Sequence, residues 1–200
     1  MTIDSQLSFD QHVDGLCKKL AQRVAVLRKI RRSLPLDQRK LYYNAMIKQT
    51  MLYASTVWTS CSVENIRKVF RLQKRAARVI LGADTKANSV KLFKQLGWVP
   101  FYHEARINKL ILVYKRIFGE CPPFLTQILV RKVDVNGRSS RHGLLNLICP
   151  RFKRETEGGR SFSGICCLPI LKTSVLLQAL KKLIFKHFMG SYKELHYFII

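Results

Sequence analysis

Charge is the feature that most restricts what this chain can become. Lysine and arginine number 36 against 12 aspartate and glutamate, a formal net charge of +24 over 200 residues. The excess is not a tail effect: residues 1–60 hold 10 basic and 4 acidic side chains, 61–120 hold 13 and 4, and 121–200 hold 13 and 4. Self-repulsion on that scale opposes compaction, and an anionic partner relieves it. Nucleic acid is the leading candidate, because each neutralised phosphate releases a condensed counterion. An anionic membrane surface is the rival. Hydrophobic residues still make up 48% of the chain, enough for a buried core in one or two units.

Other classes lose support on simple grounds. No apolar run approaches the roughly 18 residues that a membrane span requires. Met1 to Asp10 lack a basic stretch followed by an apolar one, so secretion is not expected and an intracellular site, nucleus or cytoplasm, is. The six cysteines (Cys17, Cys61, Cys121, Cys149, Cys166 and Cys167) follow no repeating spacing. They read as reduced thiols rather than a disulfide framework. Only Cys166 and Cys167 are close, and adjacent cysteines rarely share one tetrahedral ion, so no metal is expected in this chain.

The periodicity predicts a mainly α fold. From about His12 to Arg32, Val13, Leu16, Cys17, Leu20, Val24 and Leu27 fall within an arc of about 100° on a helix. Lys18, Lys19, Arg28, Lys29 and Arg32 occupy the face away from that stripe, and Pro35 ends the helix. A second helix is expected from about Asp37 towards Trp58, rich in aromatic and Met side chains and apolar on most sides, hence central. A third is bounded by Ser62 as N-cap and Gly82 beyond its end, with Glu64 favourably placed in its first turn. Two more run from about Asn88 to Leu96 and from about Pro100 to Phe118. The latter has a buried stripe of Ile107, Leu110, Ile111, Tyr114, Ile117 and Phe118. The expected organisation is a linker at 1–9, a helical bundle at 10–120, an irregular segment with short strands at 121–170, and a C-terminal helix and tail at 171–200.

The third helix carries the functional signal. Ile66, Val69, Phe70, Ala76, Ala77, Ile80 and Leu81 gather on one side. Arg67, Lys68, Arg71, Lys74, Arg75 and Arg78 gather on the other, within about 120° of arc and about 16 Å of length. Only Lys68 among the six has an acid four residues away, Glu64, so the stripe is read as no salt-bridge lattice and as free to meet phosphates. Lys18, Lys19, Lys29 and Arg32 form a secondary basic set. Trp98 and Tyr102 could stack on bases, but caps on the core between helices are the better expectation.

Catalysis finds little support. Two-metal nucleotidyl transfer needs clustered carboxylates, and the chain has no Asp-Asp or Glu-Asp pair. His12, His103, His142, His187 and His196 stand beside no nucleophile motif, and there is no Gly-rich phosphate loop.

Three runs, YYNAMIKQTMLYASTVW (42–58), RLQKRAARVILG (71–82) and INKLILVYKRIFGECPPFL (107–125), resemble the region after the palm in reverse transcriptases of non-LTR retrotransposons, the Jockey-like group. The similarity includes a basic helix matched by Lys18–Arg32, a Tyr-x(4)-Trp pattern matched by Tyr53 and Trp58, and a Leu-Gln-Lys-Arg-Ala block matched by Leu72 to Ala76. It covers residues 9–125 and continues more weakly through RSSRHG (138–143) and RSFSGICCLP (160–169). In the second of these, Arg160, Ser161, Phe162, Leu168 and Pro169 match but the family's Trp-Asn pair is missing.

The resemblance implies a thumb-like helical bundle that grips an RNA–DNA duplex or structured RNA without reading sequence. It also implies an upstream polymerase palm that would supply the catalytic aspartates and Mg2+, with no catalytic residue and no cofactor in this chain. A non-functional retroelement relic, favoured by the shortened 160–169 motif, and a basic peripheral membrane protein are the alternatives.

Overall fold

The computed structural model describes residues 1–117 together with Pro123 and Val135, and every regular element among them is helical. The fold is mainly α, as the periodicity indicates. The irregular segment and terminal helix expected over 121–200 lie outside the described residues. The chain divides into two units, Met1–Arg106 and Ile107–Ile200.

In the first unit the opening residues, read from sequence as a linker, make a capped loop. The Asp4 carboxylate accepts from the Ser8 hydroxyl and from the backbone N–H groups of Ser8 at 2.7 Å and Phe9 at 3.0 Å. These bonds, that of the Ser8 hydroxyl foremost, hold the Asp4 carboxyl below its ordinary pKa. The loop delivers Phe9 into the core at 3% exposure.

Helix α1 (Asp10–Ile30) then buries Val13, Leu16, Leu20, Val24 and Leu27, five of the six residues of the expected stripe, and packs along α5 (Val63–Leu81). Cys17 is half-buried against the same core.

The stretch expected as one helix from Asp37 to Trp58 is instead broken into four pieces. Helix α2 (Leu36–Tyr42) runs into a π-helical turn, Tyr43–Lys48, followed by α3 (Gln49–Leu52) and α4 (Ser55–Trp58). Packing is the reason. Tyr43, Ile47 and Met51, spaced by four, are all buried. In α-helix each such step overshoots a full turn by about 40°, and the wider π winding removes much of that drift. Tyr53 then leaves helical geometry with ψ 125°, and Ala54 takes a left-handed φ of 51°. The reversal swings Trp58 inward to 0% exposure, where its ring N–H donates to the Tyr53 carbonyl at 3.0 Å. The Tyr-x(4)-Trp spacing is therefore a turn that seats a core tryptophan.

Helix α5 is bounded as its sequence dictates. The Ser62 hydroxyl accepts from the Asn65 N–H at 3.3 Å, and Gly82 ends the helix at φ 67°, with the Ala83 N–H reaching back to the Arg78 carbonyl at 3.0 Å. At the same end Arg39 donates from Nη1 to the Ile80 carbonyl and from Nε to the Leu34 carbonyl, each at 2.8 Å. A cation thus meets carbonyls of the last turn, where the helix dipole is negative.

Helix α6 (Ser89–Leu96) begins at Asn88, whose side chain accepts from the Val90 N–H at 2.9 Å, and stops at Gly97. Helix α7 (Phe101–Ile117) starts in the first unit with Phe101, Glu104 and Ala105 buried.

Gln73 ties these pieces together from the middle of α5. It is 2% exposed and fully used: Nε2 donates to the Tyr43 hydroxyl at 3.2 Å and to the Val99 carbonyl at 3.1 Å, while Oε1 accepts from the Phe101 N–H at 2.9 Å. Around it Trp98 stacks on Tyr43 at 3.7 Å between centroids, and Trp58 on Phe101 at 5.9 Å. An ion pair at 2.8 Å between half-buried Lys48 and buried Glu104 joins the π turn to the start of α7.

In the second unit the described part of α7 buries Ile107, Lys109 and Val113, while Leu110 and Ile111, expected in the buried stripe, are only half-buried.

Candidate nucleic-acid interface

The six cations of α5 lie on the side away from its core contacts. Val69, Gln73, Ala76, Ala77 and Ile80 are buried, whereas Arg67, Arg71 and Arg75 are exposed and Lys68, Lys74 and Arg78 half-exposed. The helix is continuous through this region and capped at both ends, so the side chains keep the spacing that the sequence assigns them.

Their electrostatics differ from the sequence expectation in one respect. Glu64 stands four residues before Lys68, but the ion pairs that form run by other routes. Glu64 meets Arg71 at 2.7 Å, two turns along, and Arg67 at 3.6 Å, three residues along. Asp14 crosses from α1 to Lys68 at 3.0 Å. This last bond raises the Lys68 pKa. Asp14 also helps to raise the Cys17 thiol, which burial pushes up first, so that thiol stays protonated and unreactive.

Three of the six cations are therefore partnered, through two acids. All three pairs sit in solvent, with side chains 40–67% exposed, where such pairs are weak and a phosphate competes easily.

The other three have no carboxylate partner among the described residues. Lys74 lies over the Phe70 ring at 4.3 Å. Arg75 is exposed. Arg78 donates from Nη2 to the Ala87 carbonyl at 3.4 Å, while its Nε is buried without a hydrogen-bond partner.

Helix packing adds two cations that the sequence reading did not place here. Arg28 and Arg31, from the end of α1, line an open cavity of about 370 Å3 together with Arg71, Arg75, Arg78, Val79, Ala83 and Thr85. Arg31 was legible in principle. It lies four residues beyond Leu27, so it extends the buried stripe of α1 past the last turn, towards whatever α1 packs on.

The secondary set is arranged differently. Lys18, Lys19, Lys29 and Arg32 are exposed along α1, and none of them lines this cavity. The structure thus joins Arg28 and Arg31 to the α5 cluster, while the four expected residues form a separate basic edge.

The two aromatic candidates also separate. Trp98 belongs to the core cluster around Tyr43 and Phe93. Tyr102 is 37% exposed, edge-on to Phe70 at 5.3 Å, and so flanks the Lys74 end of the basic face. Burial raises its hydroxyl pKa.

No family model, curated protein or solved structure matches this chain. Among the described residues, no three His, Cys, Asp or Glu side chains are placed to hold a metal ion, and no helix is long and apolar enough to cross a membrane.

Proposed function

We propose that this chain binds the sugar–phosphate backbone of an RNA or an RNA–DNA duplex without sequence specificity, as the thumb-like, post-palm part of a retrotransposon-type RNA-directed DNA polymerase. One observation carries the binding role. The outward face of α5, joined by the end of α1, presents eight cations, Arg28, Arg31, Arg67, Lys68, Arg71, Lys74, Arg75 and Arg78, and among the described residues only Glu64 and Asp14 form ion pairs with them. A rigid helix with charges at fixed rise meets a repeating phosphate chain and positions it, while leaving the bases unread. The hydrophobic side of α5 packs on α1 and the aromatic cluster, which turns the cationic side away from the core.

The polymerase parentage rests on the resemblance of 42–58, 71–82 and 107–125, and on it depends a palm elsewhere that would supply metal-binding carboxylates. The thumb role supplies positioning of template and primer, not a chemical step, so no residue of this chain is assigned to catalysis.

The test is charge reversal of Arg71, Lys74 and Arg78 to Glu in the full chain, with affinity read by fluorescence anisotropy on unrelated duplexes across a salt series. The expected result is a loss that is similar for every sequence and a salt slope shallower by about 3. Unchanged affinity removes α5 from the interface. Retained binding to anionic vesicles that duplex fails to displace would favour a lipid surface instead.

A further inference from the structure

The cavity at the joined ends of α1 and α5 differs in kind from the rest of the basic face. Among the described residues every charged side chain in its lining is an arginine (Arg28, Arg31, Arg71, Arg75 and Arg78), although the chain as a whole uses lysine about as often as arginine. Five guanidinium groups gathered at one cavity repel one another, and an anionic occupant relieves that repulsion. Among the described residues no acid lines the cavity; Glu64, which holds Arg71, and Asp84, which accepts from Thr85, stand outside the lining. A single phosphodiester brings one negative charge, far short of the local excess.

Arg78 supplies a second and independent sign of a missing ligand: its Nε is buried with no hydrogen-bond partner, while the Ala87 carbonyl fixes the other end of the guanidinium. A buried, unsatisfied donor on a cation is costly unless an acceptor arrives. Thr85 adds a hydroxyl to the same wall, its proton donated to the Asp84 carboxylate at 3.2 Å.

We propose that this cavity is a specific site for a compact polyphosphate group, the triphosphate of a nucleic-acid 5′ end or of a free nucleotide. The chemistry is complementary at each level. The fork of arginine pairs two nitrogens with two phosphoryl oxygens. A triphosphate offers several such oxygen pairs in a small volume and several charges to answer the clustered cations. A cavity of about 370 Å3 lies within the ordinary range for a small ligand site. The proposal deepens the backbone-binding function above, in that a duplex tracked along α5 would be anchored where its end enters the arginine cavity.

The test uses the full chain and three probes: inorganic tripolyphosphate, a free nucleoside triphosphate, and one RNA duplex prepared with either a 5′-triphosphate or a 5′-hydroxyl end. Tripolyphosphate should bind with 1:1 stoichiometry by calorimetry and displace it should require far more sulfate than tripolyphosphate. The Arg28→Gln/Arg31→Gln variant should lose about tenfold in that affinity, the worth of one charge-assisted pair. The Lys18→Gln/Lys19→Gln variant, which changes net charge equally but lies outside the cavity, should not. Thermal transitions of both variants report that they fold.

Preference for the 5′-triphosphate duplex over the 5′-hydroxyl duplex assigns the site to nucleic-acid ends, and equal duplex binding with tight free triphosphate assigns it to nucleotides. Equal losses in the two double variants, or tripolyphosphate no better than sulfate, overturn the proposal while leaving backbone binding intact. Failure to bind the 5′-hydroxyl duplex with tripolyphosphate still bound would instead sink the backbone function and spare the cavity.

Discussion

Glu64 is placed to restrain the surface that α5 offers, and replacing it by Gln should strengthen nucleic-acid binding. The carboxylate holds Arg71 at 2.7 Å and Arg67 at 3.6 Å. With Glu64 55% and the two arginines 67% exposed, each pair is a solvated one, worth about 0.2–0.7 kcal/mol. Phosphate must displace both. Removing the competitor should therefore raise affinity about two- to tenfold. The slope of log binding constant against log salt should steepen by about 1–2 as two further cations become available.

Stability should move the other way. Glu64 sits in the first turn of α5, where a negative charge answers the helix dipole by about 0.3–1 kcal/mol, while the Ser62 cap remains. Anisotropy titrations on a duplex between low and moderate salt, paired with urea denaturation, give both numbers on one sample. Tighter binding with lower stability is the expected signature. An affinity that drops along with stability, at an unchanged salt slope, would show that Arg67 and Arg71 do not touch phosphate.

Two predictions concern the fold beneath the site. Gln73→Leu keeps the volume but strips the acceptor from the Phe101 N–H and the donor from the Tyr43 hydroxyl and Val99 carbonyl, and should cost about 2–4 kcal/mol in urea denaturation; a loss below about 1 kcal/mol would mean water replaces those bonds. His12, tilted against Trp58 at 6.0 Å with Nε2 buried and unpartnered, has its pKa depressed below 6.5, by burial first and then by the N-terminal amine and Lys19. The unfolded chain then binds more protons there than the native one, so the contribution of His12 is whole above pH 6.5 and fades as pH falls through the lower native value. The melting temperature of His12→Phe should accordingly fall less than that of the parent between pH 7.5 and pH 5, and parallel curves would refute the assignment.

What the sequence revealed and what it hid divide along the distance over which the deciding interactions act. Helices α5 and α6 were legible to their ends, because Ser62, Gly82, Asn88 and Gly97 act on backbone groups within a few residues. The break of 36–58 into α2, the π turn, α3 and α4 was not, since nothing local forbids a continuous helix there. It is imposed by the need to seat Tyr43, Ile47, Met51 and Trp58 in one core.

The interface shows the same division. The cationic face of α5 follows from periodicity alone. Its partial neutralisation does not, because Glu64 reaches Arg71 across two turns and Asp14 comes from another helix. Arg28 and Arg31 joined the cluster only once α1 was laid against α5; a wheel of α1 by itself sets Arg28 beside Lys29 and Arg32 and leaves Arg31 out.

Arg39 gives the arginine cavity a property that its lining alone would not. By lacing the Leu34 carbonyl to the Ile80 carbonyl, it fastens the chain leaving α1 to the final turn of α5. The two helix ends that carry Arg31 and Arg78 are thus clamped before any ligand arrives. An incoming anion meets walls already in register and spends little of its binding energy on ordering them, so selectivity there should follow the shape of the phosphate group more closely than its total charge.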